Sequence, residues 1–269
     1  MSLLLAGCGY RYAGASAASL RNVDLEIAPG EVVGVVGANG AGKSTLCLVA
    51  SGLAPATIGG HLEGVVRIDD LETARARPHE LAQRVGILFQ NPVTQLSGMS
   101  PTVWEEIAFG PRNLGLPLDE VIRRVEEAAA TFGIEAILRR DPERLSGGQA
   151  QLVALAGVLA LQPRYLILDE PTSQLDPQGT SLVGEALRTI ARGGTTGVLL
   201  AEHKTDLLDA ICGRVLLLRD GTPLRIDAAA ALLDDPLLLE AGVEPPARVR
   251  LARAAAEAGV TLPLEEATR

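Results

Sequence analysis

Apolar residues alternate with polar ones along Val23 to Ile27, the period of a strand with one buried face. Pro29-Gly30 then turns the chain into Val32 to Val36, an uninterrupted apolar run short enough for a fully buried strand, so the chain is expected to open strand, turn, strand. Upstream, Leu5-Ala6-Gly7-Cys8 has the letters of a lipoprotein cleavage box. Only seven residues precede the cysteine, and no basic segment or apolar run accompanies it, so the stretch reads as a first strand. After the glycine-rich stretch 37–42, Leu46, Val49 and Leu53 recur at helical spacing, with Gly52 and Pro55 where a helix stops. Val85 to Phe89 is another apolar strand, and Gln90-Asn91-Pro92 ends it. The texture then becomes helical: Val121, Ile122, Val125, Ala128, Ala129 and Phe132 make one apolar face, and about 91–162 reads as a helical insert. Strand patterns return at Tyr165–Leu168, Gly197–Ala201 and Val215–Leu218, separated by helices, the rhythm of a parallel sheet with crossovers. One α/β domain over 1–220, with the helical stretch inserted in it, is therefore expected. Beyond Gly221, two short helical stretches flank Pro245-Pro246 and end in a charged tail, an accessory segment 221–269 and a candidate for dimerisation.

Composition narrows this picture. With 47% hydrophobic and 21% charged residues the 269-residue chain is an ordinary folded protein, and with 3% aromatics its core must be aliphatic. The longest apolar run, Leu152 to Leu161, falls well short of the ~20 residues that span a bilayer, so it reads as a buried helix and the chain is not expected to cross a membrane by itself. A net charge of −9 without a basic patch argues against nucleic acid as a partner. The three cysteines, Cys8, Cys47 and Cys212, lack the paired spacing of a zinc site or disulfide framework and read as buried core residues in a reducing compartment.

Gly37-Ala38-Asn39-Gly40-Ala41-Gly42-Lys43-Ser44-Thr45 fits the phosphate-loop pattern and lies between a predicted strand and a predicted helix, the context its mechanism requires. Backbone N–H groups and the helix N-terminus can cradle phosphates, Lys43 can reach the outer phosphates, and Ser44 can ligate Mg²⁺. Tyr165-Leu166-Ile167-Leu168-Asp169-Glu170 is an apolar strand delivering two carboxylates at its C-terminal end, where α/β sheets place ligands. Asp169 is suited to Mg²⁺, and Glu170, one residue beyond the strand, to polarising an attacking water as general base. Leu145-Ser146-Gly147-Gly148-Gln149 opens the apolar helix 150–161 with a serine cap and two glycines, a second anion-binding helix terminus.

The phosphate loop, LSGGQ, the LILDEP strand, Gln90, Ser173-Gln174-Leu175-Asp176 and His203 occur in an order that resembles ATP-binding-cassette ATPases, a likeness covering about 1–225. The fold class it implies is α/β: a P-loop NTPase (RecA-like) parallel-sheet core with an N-terminal antiparallel β subdomain, an inserted α-helical subdomain and a small C-terminal helical tail. The resemblance implies ATP and Mg²⁺ as ligands and a head-to-tail dimer in which Ser146, Gly147, Gly148 and Gln149 of one subunit close on ATP held by Asn39, Gly40, Gly42, Lys43, Ser44 and Thr45 of another. It implies Glu170, His203 and Gln90 as the catalytic group, with His203 at the γ-phosphate, and Ser44, Gln90 and Asp169 around the metal. It also gives Asp176 a role across the dimer and Tyr12 a stacking role on adenine. On the residues alone, His203 reads more readily as a surface histidine, Asp176 is equally a helix cap and Gln90 equally a polar turn residue, and Tyr10 competes with Tyr12.

Within that family, Phe89-Gln90-Asn91-Pro92 with Gln95, then Thr102 to Pro111 and Asn113 to Leu116, resembles the ATPases of energy-coupling-factor importers. This implies a cytoplasmic, peripheral ATPase working with a second ATPase subunit, a membrane T component and an S component that captures a vitamin or transition-metal ion. Ala150 and Leu152 depart from the polar or basic residues common after LSGGQ. Glu202 and Gln174 lean towards one member of an unequal pair, with a homodimer as the alternative. Two further readings are an ATP-binding scaffold without turnover and a soluble cassette ATPase unconnected with transport.

Overall fold

The computed structural model describes residues 1–258; the charged end of the predicted tail, 259–269, lies outside the described residues. Strands β1 (Leu3–Arg11) and β2 (Leu20–Ile27) pair antiparallel, and β3 (Val32–Val36) follows. Here the expected strand, turn, strand opening takes an unexpected form. β3 does not pair with β2; the Pro29-Gly30 turn carries the chain from a four-stranded sheet that holds β1 and β2 into a separate six-stranded sheet. The reason lies in the pattern itself: β2 alternates and can border water, whereas β3 is apolar throughout and needs cover on both faces.

The phosphate loop follows β3 and leads into α1 (Lys43–Ala50) and the short α2 (Leu53–Ala56). Then β4 (His61–Ile68) and β5 (Leu71–Glu72) complete the antiparallel sheet. The apolar pattern does not predict β4, because Gly64 interrupts it. That glycine has φ +76°, and a Cβ there would lie 2.4 Å from the carbonyl oxygens of Ala6 and Gly7, opposite a break in the β1 register. After α3 (Pro78–Ala82) and β6 (Val85–Leu88), the helical insert contains α4 (Val103–Asn113), α5 (Leu118–Thr131) and α6 (Gly147–Leu159). The chain returns through β7 (Tyr165–Asp169), α7 (Pro177–Arg192), β8 (Gly197–Ala201), α8 (Thr205–Ile211) and β9 (Arg214–Arg219). All four pairings within β9-β3-β8-β7-β6 are parallel, as the strand and helix rhythm predicts.

The segment after Gly221 corrects the purely helical expectation. Thr222–Ala228 is a strand, β10, antiparallel to β9 at the edge of the main sheet; helices α9 (Ala229–Asp234), α10 (Leu237–Glu240) and α11 (Ala247–Glu257) come only afterwards. Polar Thr222, Arg225 and Asp227 hid it, as an edge strand is free to be polar.

The main sheet separates two cores. Val33, Val35, Ile167, Leu199 and Leu216 pack towards the antiparallel sheet and α1; Val32, Val36, Leu168, Leu200 and Leu217 pack towards the helices of the insert and the C-terminal segment. Alternate residues of one apolar strand thus serve opposite cores. All three cysteines are buried and free, as composition predicts. No helix among the described residues is long and apolar enough to cross a membrane.

Candidate nucleotide site

Four parallel strands end at one edge, and each delivers part of the site. The phosphate loop leaves β3. Its Gly42 has φ +103°, a conformation only glycine adopts freely, and a Cβ there would lie 3.0 Å from the Ser19 carbonyl oxygen. This turn places Lys43 and Ser44 at the start of α1, where unpaired N–H groups face outward. The Lys43 ammonium is buried and donates to the carbonyl oxygens of Gly37 (2.9 Å) and Ala38 (3.3 Å), so it lies folded back on its own loop. Burial lowers its pKa, while the charges of Glu170 and Asp169 work the other way.

A cleft of about 500 Å³ follows, the size of a small-ligand pocket. It is lined by Asn39, Gly40, Gly42, Lys43, Ser44, Thr45, Gln90 and Glu170, together with Ser19, Arg21 and Asp220, which the motifs did not single out. Tyr12 stands beside this site, its hydroxyl 3.1 Å from Thr45 Oγ1. Tyr10 is buried, with its hydroxyl donating to the Gly59 carbonyl, and packs edge-on against Tyr12. Of the two rings, Tyr12 is the one left accessible.

From β7 come the two acids, with different environments. Asp169 is buried, and its Oδ1 has no hydrogen-bond partner. Burial raises its pKa, against the opposing effects of the Ser44 hydroxyl and Lys43. An orphaned buried carboxylate oxygen beside a serine hydroxyl at a phosphate loop fits Mg²⁺, which takes one or two protein oxygens and completes its shell with phosphate and water. Among the described residues no cluster of three or more His, Cys, Asp or Glu forms an all-protein cage, and Mg²⁺ with a nucleotide needs none.

Glu170, just past β7, has φ +50°, unusual for a non-glycine residue, and its N–H donates to the Ala201 carbonyl (2.9 Å). The turn aims the carboxylate into the cleft. Gln90 Nε2, after β6, donates to Glu170 Oε2 (2.7 Å), and His203 Nε2, after β8, lies 2.9 Å from Glu170 Oε1. Residues from three neighbouring strands therefore converge on one carboxylate.

Ser146, Gly147, Gly148 and Gln149 lie elsewhere: they do not line this cleft. Ser146 caps α6 by accepting from Gln149 N–H (3.3 Å), and Gln149 Oε1 accepts from Ser146 N–H (3.2 Å), a reciprocal capping box. Asp176 likewise caps α7 through Gly179 N–H (2.7 Å). One residue beside the site went unread. Lys204, next to His203, donates to Thr172 and Leu175 carbonyls and to Thr180 Oγ1. A signal was available, because Lys43 and Lys204 are the chain's two lysines among 24 basic residues.

The fold agrees with comparisons to known proteins. The ABC transporter family profile matches residues 20–173, and the chain belongs to that family as an ATP-binding subunit whose ATP hydrolysis is coupled to transport. Within the family it is similar to the energy-coupling factor transporter ATP-binding protein EcfA1 of Halalkalibacterium halodurans, 37% identical over 262 residues that cover 97% of this chain and 91% of the relative. The cobalt import ATP-binding protein CbiO of Syntrophus aciditrophicus is 39% identical over 255 residues, 94% and 88% of the two chains. Among solved structures, cbiO1 of Clostridium perfringens, part of the transporter complex cbiONQ, superposes with a TM-score of 0.78 at 29% identity, covering 96% and 98%. An ATP-binding cassette solved as a dimer with ADP and Pi gives 0.74 at 26% identity, covering 84% and 98%.

Proposed function

We propose that this chain energises an energy-coupling-factor type importer of a vitamin or transition-metal ion. It would work peripherally at the cytoplasmic face of the membrane, paired with a second ATPase subunit and bound to a T component and a substrate-capturing S component. The observation that carries the catalytic part is the convergence of Gln90 and His203 on Glu170, next to a phosphate loop and away from LSGGQ. A cleft that lacks its own LSGGQ contacts supports completion of the site by a partner's, giving two sites in a head-to-tail pair.

In this reading Tyr12 stacks on the adenine, and Asn39, Gly40, Gly42, Ser44 and Thr45 present N–H and hydroxyl donors to the phosphates. Lys43 exchanges its two carbonyl partners for outer phosphate oxygens, a favourable trade for a buried ammonium. Ser44, Asp169 and Gln90 would hold Mg²⁺, which when bound offsets phosphate charge. Glu170 accepts the proton of the attacking water, Gln90 fixes its carboxylate, and His203 donates a hydrogen bond to the terminal phosphate. Ser146, Gly147, Gly148 and Gln149 supply an equivalent set of donors to the partner's nucleotide. The helical insert passes closure and reopening to the membrane partner.

Two measurements test this. Glu170→Gln should reduce ATP turnover of the assembled complex by about 10²–10⁴-fold while leaving nucleotide binding intact; unchanged turnover would show that Glu170 is not the base. Affinity purification from detergent-solubilised membranes should bring down a second cassette ATPase with a polytopic protein and a small membrane binder. Recovery without membrane proteins would remove the importer from consideration.

A further inference from the structure

His203 is flanked by Glu202 and Lys204, and these two neighbours grip the same residue of the 172–176 loop. Glu202, buried, accepts the Thr172 hydroxyl at Oε2 (2.7 Å), while its Oε1 accepts the backbone N–H of His203 (2.8 Å). Lys204 Nζ donates to the Thr172 carbonyl (2.9 Å), the Leu175 carbonyl (3.3 Å) and Thr180 Oγ1 (2.8 Å). One ammonium thus joins the start of the loop, its end and the first turn of α7. The loop in turn abuts LSGGQ: a Cβ at Gly147 would lie 3.3 Å from Gln174 Oε1, and one at Gly148 3.4 Å from the Gln174 carbonyl oxygen and 3.5 Å from Leu175 Cδ2.

Glu170 therefore meets the His203 ring, His203 is joined through the backbone to Lys204, Lys204 holds the 172–176 loop, and the loop abuts Gly147 and Gly148. The two ends of this series belong to different nucleotides in the paired arrangement proposed above, on which this step rests: Glu170 serves the chain's own ATP and Gly147 the partner's. We infer that Lys204 is a positioning residue that sets the 172–176 loop, and with it LSGGQ, according to the state of His203. It touches no reacting atom, and its three charge-assisted hydrogen bonds are directional enough to fix a loop. Hydrocarbon in its place would take the ammonium from the Leu175 carbonyl and leave the Thr172 carbonyl only the Leu175 N–H (3.1 Å), while the phosphate loop kept all its contacts.

The test uses the full-length chain together with its copurifying subunits. Lys204→Met should lower kcat by about 10- to 100-fold, the scale of a misplacement on the order of 1 Å, with KM for ATP and the Kd of a fluorescent ATP analogue within about two-fold of the parent. Thr180→Val should lower kcat less and in the same sense, and Thr180→Ser, which keeps the acceptor, should leave it unchanged. A folded Lys204→Met protein with unaltered kcat, or with KM and Kd rising in step with any fall in kcat, overturns the inference. If Lys204→Met does not fold, Thr180→Val decides: an unchanged kcat refutes it. Glu170→Gln is measured alongside, and turnover surviving there refutes the assignment of the base rather than the role of Lys204.

Discussion

Asp169 shows how a single residue can be placed for a ligand at the expense of the empty fold. Its carboxylate is buried with one oxygen unpartnered, and burial already raises its pKa, so the ionised form is held against its solvation preference. Asp169→Asn removes that charge and should stabilise the nucleotide-free protein by about 1–3 kcal/mol. It should also abolish the extra stabilisation that MgATP gives, a gain that ligand linkage otherwise guarantees. Thermal unfolding with and without MgATP measures both, and a lower melting temperature without nucleotide would show that the carboxylate is satisfied. Glu170 is the opposite case, an acid at the cleft with both oxygens partnered, by Gln90 and His203, and a left-handed φ that turns it there. Tyr12 and Tyr10 show the limit of residue-level reading: two tyrosines separated by one position have the same chemistry, and only burial distinguishes them.

At the scale of elements, α5 combines an apolar face that buries Val121, Val125, Ala128 and Ala129 with a charged face in which Glu120 pairs with Arg123 and Arg124, both at 2.6 Å. Hydrogen bonds from those guanidinium groups hold Glu120 down at about 2. The sign follows from linkage. The folded value lies below the ~4.3 of an unfolded glutamate, so the stabilisation is complete above that unfolded value and lost as pH falls towards about 2. Glu120→Gln should therefore lower the melting temperature slightly at pH 7, with a difference that shrinks steadily as pH falls from the unfolded value towards the folded one and vanishes below it. Added salt should shrink the difference at pH 7, since the pair faces solvent. A difference that persists in acid would assign the loss to packing instead. In the same insert Phe132 is a large side chain with almost no exposure. Phe132→Ala should cost about 3–5 kcal/mol in denaturant unfolding.

At the scale of the whole molecule, the two places that the proposed pairing would bring together are separate: LSGGQ, at the start of α6, does not line the cleft at the strand ends. In the proposed pairing, the Glu170→Gln chain with its partner subunit should associate in MgATP and separate in ADP by sedimentation, and Ser146→Arg should prevent association while leaving ATP binding unchanged. The tail packs back on this body: Thr205 Oγ1 donates to the Glu244 carbonyl (2.9 Å), and Arg248 pairs with Asp209 and Asp234. Legible in the sequence was what is decided within about ten residues: the phosphate loop, the apolar strands, the acid pair at the end of β7 and the serine cap of LSGGQ. Local backbone preference and short-range hydrogen bonds dictate these. Tertiary structure alone decided what depends on register and crossovers: the passage from β2 to β3 between sheets, β4 opposite the break in β1, and the polar edge strand β10. It also decided the meeting of Gln90, Glu170 and His203, and the reach of Lys204 to Thr172 and Thr180. Such contacts join residues dozens of positions apart, and no local pattern encodes them, because their distances are set by how parallel strands align and how helices return between them.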